Sequence, residues 1–129
     1  MQSIGQPRMS QPQDESDTVF ATAAELFGLL STPIRLKIIS SLCHGEKNVS
    51  QLLGDIDTTQ PNMSQHLSTL YRAGVLGKRR DATQIYYRIE SERAAMLCRA
   101  VCNQIAVEMD PHAEVTADER LTPLTASRR

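Results

Sequence analysis

A short segment with one polar and one apolar face, residues 58–70, constrains the fold more than any other part of the chain. Thr58 or Thr59 is suited to cap a helix there, and Pro61 fits the first helical turn, where a backbone N–H has no helical acceptor. The apolar side chains that recur at helical spacing are Met63, Leu67 and Leu70. The segment therefore predicts a short helix that buries one face and leaves the other free.

The free face of this helix is crowded with short, uncharged side chains. These are Thr59, Gln60, Asn62, Ser64, Gln65, His66 and Ser68. Donors and acceptors of this kind meet base edges and phosphates in the major groove of DNA, whereas a solvated helix face carries more Lys and Glu. We therefore predict that these residues contact DNA. For His66 two interpretations stay open, a donor to the DNA or a residue that only completes a polar surface.

The distribution of charge favours a nucleic-acid partner, although the 129-residue chain carries a net charge of only −1. Residues 58–89 hold five basic side chains and one acidic one, a local charge of +4, whereas residues 1–25 carry −3. Local charge, rather than the sum over the chain, steers DNA. We predict that Arg79 and Arg80 contact phosphates or the minor groove, the alternative being a solvated strand edge.

Periodicity along the chain predicts a mainly α-helical fold with a small β-hairpin. Helices are expected over about 18–30, from Pro33 to near Gly45, from 48 or 50 to about 55, from 60 to about 73, and over 91–108; strands are expected at 75–80 and 84–89, with a tip at 81–83. This order describes a winged helix-turn-helix with an additional helix at each end. We expect a domain over 18–109, a disordered tail over 1–17 and a flexible tail over 110–129.

Several classes of protein are disfavoured by what the sequence lacks. No apolar run approaches 18 residues, and the first 17 residues hold no stretch like a signal peptide, so we expect neither a membrane span nor export but a cytoplasmic protein. No catalytic constellation and no Gly-rich phosphate loop stand out, so neither an enzyme nor a cofactor is expected. Two less favoured alternatives remain, a thiol-dependent enzyme that uses Cys43 and His44, and a winged helix that contacts only proteins.

Residues 22–108 resemble the ArsR/SmtB family of bacterial metal- and redox-responsive repressors. The matching stretches are 30–39 (LSTPIRLKII), 60–67 (QPNMSQHL), 73–76 (AGVL), 79–81 (RRD) and 85–89 (IYYRI). The resemblance implies a homodimer joined along its first and last helices, a palindromic DNA operator, and release when an inducer binds. Candidates for burial in that dimer seam are Phe20, Phe27, Leu97, Val101 and Ile105.

The chain departs from the family at its best-known metal sites. Arsenic and heavy-metal members carry Cys-x-Cys at the start of the third helix, where residues 47–52 here contain no thiol. Zinc members carry Asp-x-His and a distal His pair on the last helix, and residues 91–108 contain no His. The sequence therefore predicts neither of these metal sites.

The three cysteines, Cys43, Cys98 and Cys102, are the remaining candidates for sensing. Without an export signal we expect them to be reduced. Some family members sense oxidants or reactive sulfur with one thiol on the second helix and one on the fifth, which implies a switch between Cys43 and Cys102, slightly preferred, or Cys98. Alternatives are a three-thiolate site for a soft metal or metalloid, and three small core residues without a sensing role. The inducer would be a thiol-reactive species or a soft metalloid.

Overall fold

Five helices and a three-stranded antiparallel sheet make up residues 12–110, the part of the chain that this computed structural model describes, with side chains from residue 14 onward. In chain order the elements are α1 (Pro12–Leu29), α2 (Pro33–Leu42), β1 (Lys47–Asn48), α3 (Val49–Asp55), α4 (Gln60–Arg72), β2 (Leu76–Asp81), β3 (Gln84–Ile89) and α5 (Glu92–Met109). The predicted winged helix-turn-helix with a helix added at each end is confirmed. Residues 1–11 and 111–129, which hold most of the two predicted tails, lie outside the described residues.

Side-chain caps set the starts of four helices. The hydroxyl oxygens of Thr32, Thr59 and Ser91 accept the backbone N–H three residues ahead, at 3.1, 3.2 and 3.3 Å, and so cap α2, α4 and α5. Asn48 caps α3 through a reciprocal pair of hydrogen bonds with Gln51. The sequence predicted these starts to within one or two residues, and the structure selects Thr59 over Thr58 and Asn48 over Ser50 as the caps.

The end of α4 and the hairpin after it follow from the same local rules. Gly74 takes a φ of +83°, a left-handed conformation that closes the helix and turns the chain into β2. Strands β2 and β3 pair from Leu76 opposite Ile89 to Asp81 opposite Gln84. We call this hairpin the wing. Its tip is therefore two residues, 82–83, instead of the predicted three, because Asp81 remains paired within β2.

Two further expectations about the fold are corrected. Helix α1 begins at Pro12 rather than near Thr18, so residues 12–17 of the predicted tail are helical. Asp14 and Glu15 lie in its first turn, where carboxylates stabilise the positive end of the helix dipole, and the Thr18 hydroxyl donates to the Asp14 carbonyl at 3.0 Å. The second correction is strand β1, which pairs with β3 and makes the sheet order β1-β3-β2. Its two residues are too few to show a period along the sequence.

The core positions α4 with its polar face outward. Met63, Leu67 and Leu70 are all fully buried, as predicted, and join a cluster that includes Ile38 of α2 and Leu52 of α3. Burial of this aliphatic cluster is what holds α4 against α2 and α3. Within the described residues no single helix is both long and apolar enough to cross a membrane; α1 and α2 meet both conditions only when taken together, and that pair is bent by 95°.

Candidate nucleic-acid interface

The outward face of α4 holds the residues predicted to contact DNA, and three of them are free to do so. Gln60, Ser64 and Gln65 are exposed, and their side chains have no hydrogen-bond partner among residues 14–110. Amides and hydroxyls without protein partners keep their donors and acceptors available for base edges. The first turns of α4 therefore present an unsatisfied hydrogen-bonding surface to the solvent.

The other polar residues of this face are partly engaged within the protein. Thr59 uses its hydroxyl oxygen to cap α4, and the Asn62 amide donates to the Thr58 hydroxyl at 2.8 Å. The Ser68 hydroxyl accepts from the Arg72 guanidinium at 2.5 Å. These bonds fix the side chains in place. They leave the Asn62 carbonyl oxygen and the remaining Arg72 donors exposed, and Arg72 had not been predicted as a contact.

His66 accepts a hydrogen bond from Arg35, a residue that the sequence did not indicate as part of this site. The Arg35 Nε donates to His66 Nδ1 at 3.1 Å, and Arg35 lies in the first turn of α2. Burial lowers the pKa of His66, and the positive charge of Arg35 lowers it further. Both effects favour the neutral imidazole over the imidazolium. Because the two residues are 31 positions apart, no local pattern in the sequence indicates the contact.

The two arginines of the wing differ in their surroundings. Arg79 pairs with Glu46 at 2.8 Å and lies over the Tyr86 ring at 4.9 Å. Arg80 is exposed and has no partner among the described residues. Successive strand residues face opposite sides of the sheet, so the two guanidinium groups project in different directions. The sequence predicted the same role for both arginines, because the pairing of Arg79 with Glu46 joins residues that are distant in the chain.

The base of the wing is joined to the end of α4 by a cation–π contact. Lys78 Nζ lies 4.3 Å from the centre of the Tyr71 ring. Lys78 and Arg80 share one side of β2, because strand residues two apart point the same way. This contact joins the wing to the end of α4, next to the unpaired Arg80.

The cysteines lie together where α2 meets α5. Cys43 caps the C-terminal end of α2 and is half-buried, Cys98 is 1% exposed, and Cys102 is half-buried. The Cys98 thiol donates to the Leu36 carbonyl at 3.6 Å. A cavity of about 310 Å³ opens beside Cys43, with Arg88, Arg99 and Glu92 in its wall. Cys43 is therefore reachable by a small molecule, while Cys98 lies behind it.

The two thiols differ in acidity for physical reasons. Burial raises the pKa of Cys98 to about 12, and the neighbouring Cys102 and then Cys43 raise it as well. Burial also raises the pKa of Cys43, but the charge of Arg99 and its hydrogen bond to Cys43 oppose that rise. Within residues 14–110 no group of three or more His, Cys, Asp or Glu side chains is placed to hold a metal ion.

A polar cluster connects the cysteine end of α2 with the segment that leads to α4. Ser41, two residues before Cys43, donates to the Asp55 carboxylate at 2.8 Å, and Lys47 Nζ pairs with the same carboxylate at 2.6 Å. The hydrogen bonds from Lys47 and then Ser41 hold the pKa of Asp55 below its ordinary range. Because Asp55 ends α3, these bonds link the end of α2 to the turn before α4.

Comparison with known proteins identifies the family. A profile of the bacterial regulatory proteins of the arsR family matches residues 32–78. The chain is 40% identical over 78 residues to a biofilm growth-associated repressor of Agrobacterium fabrum, a match that covers 60% of this chain and 67% of that protein.

Two solved structures share the fold. The transcriptional repressor BigR from Xylella fastidiosa has a TM-score of 0.63 and 30% identity, and the match covers 81% of this chain and all of BigR. The homodimeric winged helix-turn-helix domain of Mb0332 from Mycobacterium bovis, described as a possible ArsR-family regulator, has a TM-score of 0.66 and 25% identity over 88% of this chain and 99% of that domain. From its sequence matches and its fold, the chain belongs to the arsR family of bacterial regulatory proteins and is a transcriptional repressor rather than an enzyme.

Proposed function

We propose that the protein is a homodimeric repressor that binds a palindromic DNA site, here called the operator, and releases it when Cys43 is joined to a thiol of α5. The observation that carries the DNA-binding part is the exposed face of α4, where Gln60, Ser64 and Gln65 have no protein partner among the described residues. In winged helix-turn-helix proteins such a helix lies in the major groove and reads base edges, while the wing contacts the backbone.

Dimerisation is supported by the apolar surface of the two terminal helices. Of the eight large apolar side chains exposed among the described residues, all but Tyr71 belong to α1 or α5; they are Val19, Phe20, Phe27, Met96, Val101, Ile105 and Met109. A surface of this kind is expected to be covered by a partner. Mb0332, which shares the fold, is homodimeric. Leu97, also predicted for the seam, is instead half-buried against the core of its own protomer.

The thiol switch is supported by the arrangement of Cys43 and α5. Cys43 is half-buried in the wall of a cavity that Arg99 also lines, and the positive charge of Arg99 lowers the pKa of Cys43 against the effect of burial, so Cys43 is better suited than the buried Cys98 to attack an electrophile. Ala95 and Arg99 of α5 line the cavity beside Cys43, and Cys98 lies between them along the helix. This level of α5 is one helical turn before Cys102, so it favours Cys98 as the partner over the slightly preferred Cys102.

The proposed switch needs an oxidant of a stated class. Joining Cys43 to Cys98 as a disulfide releases two protons and two electrons, which a peroxide or a polysulfide accepts. The bond draws the end of α2 toward α5 and disturbs the hydrogen bond from Ser41 to Asp55 two residues away. Because Asp55 precedes α4, the loss of this hydrogen bond changes the orientation of α4 relative to the DNA.

The salt dependence of operator binding tests the proposed function. We expect Arg80→Ala to weaken binding to all DNA sequences alike. The negative slope of log affinity against log salt should become shallower by about 0.9 for each phosphate contact that is lost. Arg79→Ala should cost less, because Arg79 must first leave Glu46. Affinity is measured by fluorescence anisotropy at several salt concentrations.

Glu46→Gln removes the carboxylate that pairs with Arg79, and we expect it to raise affinity for all sequences. The matched control is the same substitution in an Arg79→Ala background: an equal gain there would come from the lost negative charge alone and would show that Arg79 does not face DNA. An unchanged salt slope in Arg80→Ala would show that the wing is not part of the DNA interface. Absence of salt-dependent DNA binding by the wild-type protein would exclude the proposed function.

A further inference from the structure

One guanidinium group joins three helices at the back of the proposed DNA-binding face. The Arg35 backbone N–H bonds to the Thr32 cap of α2, and its side chain donates in two directions. One terminal nitrogen donates to the Leu29 carbonyl at the end of α1 at 3.2 Å, and Nε donates to His66 Nδ1 in α4 at 3.1 Å. The planar fork of arginine suits two such bonds at once, because its donors are fixed relative to one another.

The bond to Arg35 decides which nitrogen of His66 carries the proton. A guanidinium has donors only, so Nδ1 must accept and therefore carries no proton. In the neutral ring the proton is then on Nε2, which lies on the far side of the ring from the Arg35 contact. Within residues 14–110 no protein acceptor meets that N–H, and the ring is partly exposed among the polar residues of α4.

We propose that Arg35 is a positioning residue for operator recognition, which holds the His66 ring in place with Nε2–H directed to an acceptor atom of the DNA. The acceptor is a phosphate oxygen or a base-edge atom such as the N7 of a purine, both of which take an imidazole N–H. This inference rests on the proposed binding of DNA by α4. The Arg35 side chain acts through His66 and does not itself contact DNA.

A double-mutant cycle on operator affinity tests this role. Arg35→Met removes the donors, and His66→Phe keeps the ring but removes both nitrogens. We expect each single variant to lose about tenfold in affinity, the cost of one hydrogen bond to a charged or polar partner. The double variant should also lose about tenfold, because Arg35 acts through His66. Additive losses of about a hundredfold would show that Arg35 acts independently and would overturn the proposal.

The conservative variant His66→Gln serves as a rescue, because its amide N–H lies close to the position of Nε2–H. It should retain more affinity than His66→Phe, and equal losses in the two variants would contradict a donor role. Comparison of operator with random duplex identifies the acceptor. A phosphate contact lowers both affinities together, whereas a base contact lowers their ratio.

Titration of His66 by nuclear magnetic resonance tests the contact without DNA. In the wild-type protein the His66 pKa should lie below its ordinary value of about 6.5, and in Arg35→Met it should rise. A wild-type His66 pKa at or above the ordinary value would refute the Arg35–His66 bond. This measurement needs only the wild-type protein, so it holds even if Arg35→Met does not fold. If the titration behaves as expected but the protein selects no operator, the proposed function has failed while the contact stands.

Discussion

Replacing Ile105 with Glu is expected to abolish dimerisation and, with it, tight binding to a palindromic operator. Ile105 is 48% exposed on α5, beside other apolar side chains of the proposed seam, so the protomer itself should fold with Glu there. In a two-fold dimer each protomer contributes one unpaired carboxylate to the seam. At a cost of at least about 2 kcal/mol for each copy, the dissociation constant of the dimer rises about a thousandfold.

Sedimentation velocity measures this effect directly, with circular dichroism as a check on folding. Ile105→Leu is the matched control, since it keeps an apolar side chain of similar volume and should remain dimeric. Operator affinity should fall with the loss of the dimer, because a monomer contacts only one half-site. A folded Ile105→Glu variant that dimerises and binds the operator as the wild type does would place the seam elsewhere.

Replacing Cys43 with Ser is expected to remove the response to thiol-reactive inducers and leave the reduced protein unchanged. Coupling between two sites in a regulatory protein is typically 1–3 kcal/mol, so oxidation should lower the operator affinity of the wild type by roughly 5–150-fold. Cys43→Ser should show no such fall under peroxide or polysulfide. Its reduced form should keep wild-type affinity, because Cys43 lies at the end of α2 beside α5 and is not part of the exposed face of α4.

The other two cysteines provide the controls for this switch. If Cys98 is the partner, Cys98→Ser is also unresponsive and Cys102→Ser responds normally, and mass spectrometry of the intact protein detects the bridge. Should all three single variants remain as responsive as the wild type, the thiols are only packing residues. A protein that needs all three thiols for release by arsenite, and ignores sulfur species, would favour the soft-metal alternative.

The parts of the fold that sequence predicts are those fixed by neighbouring residues. The Thr59 cap, the turn at Gly74 and the apolar stripe of Met63 and Leu67 each depend on residues a few positions apart, and the structure confirms them. The start of α1 was missed because residues 12–17 have no apolar period. Helical residues there are stabilised by acidic side chains and hydrogen bonds rather than by a buried face.

The parts of the candidate site that sequence could not predict depend on contacts between distant residues. Glu46 meets Arg79 across 33 positions, and Arg35 meets His66 across 31. Such pairs exist only after α2, α4 and the wing have packed together, so neither charge nor spacing along the chain indicates them. The sequence therefore predicts which residue types face the DNA, while the fold determines which of them are free.

The ratio of operator affinity to random-duplex affinity at fixed salt tests most directly whether the exposed face of α4 reads DNA sequence. The operator is obtained by selection from random DNA, and its half-sites should be about one helical turn, or a multiple of it, apart. The wild type should prefer it by at least about a thousandfold. Gln60→Ala with Ser64→Ala should lower this ratio at least about tenfold with little change in random-duplex affinity, whereas Arg80→Ala lowers both affinities and keeps the ratio. A double variant with the wild-type ratio would contradict the account.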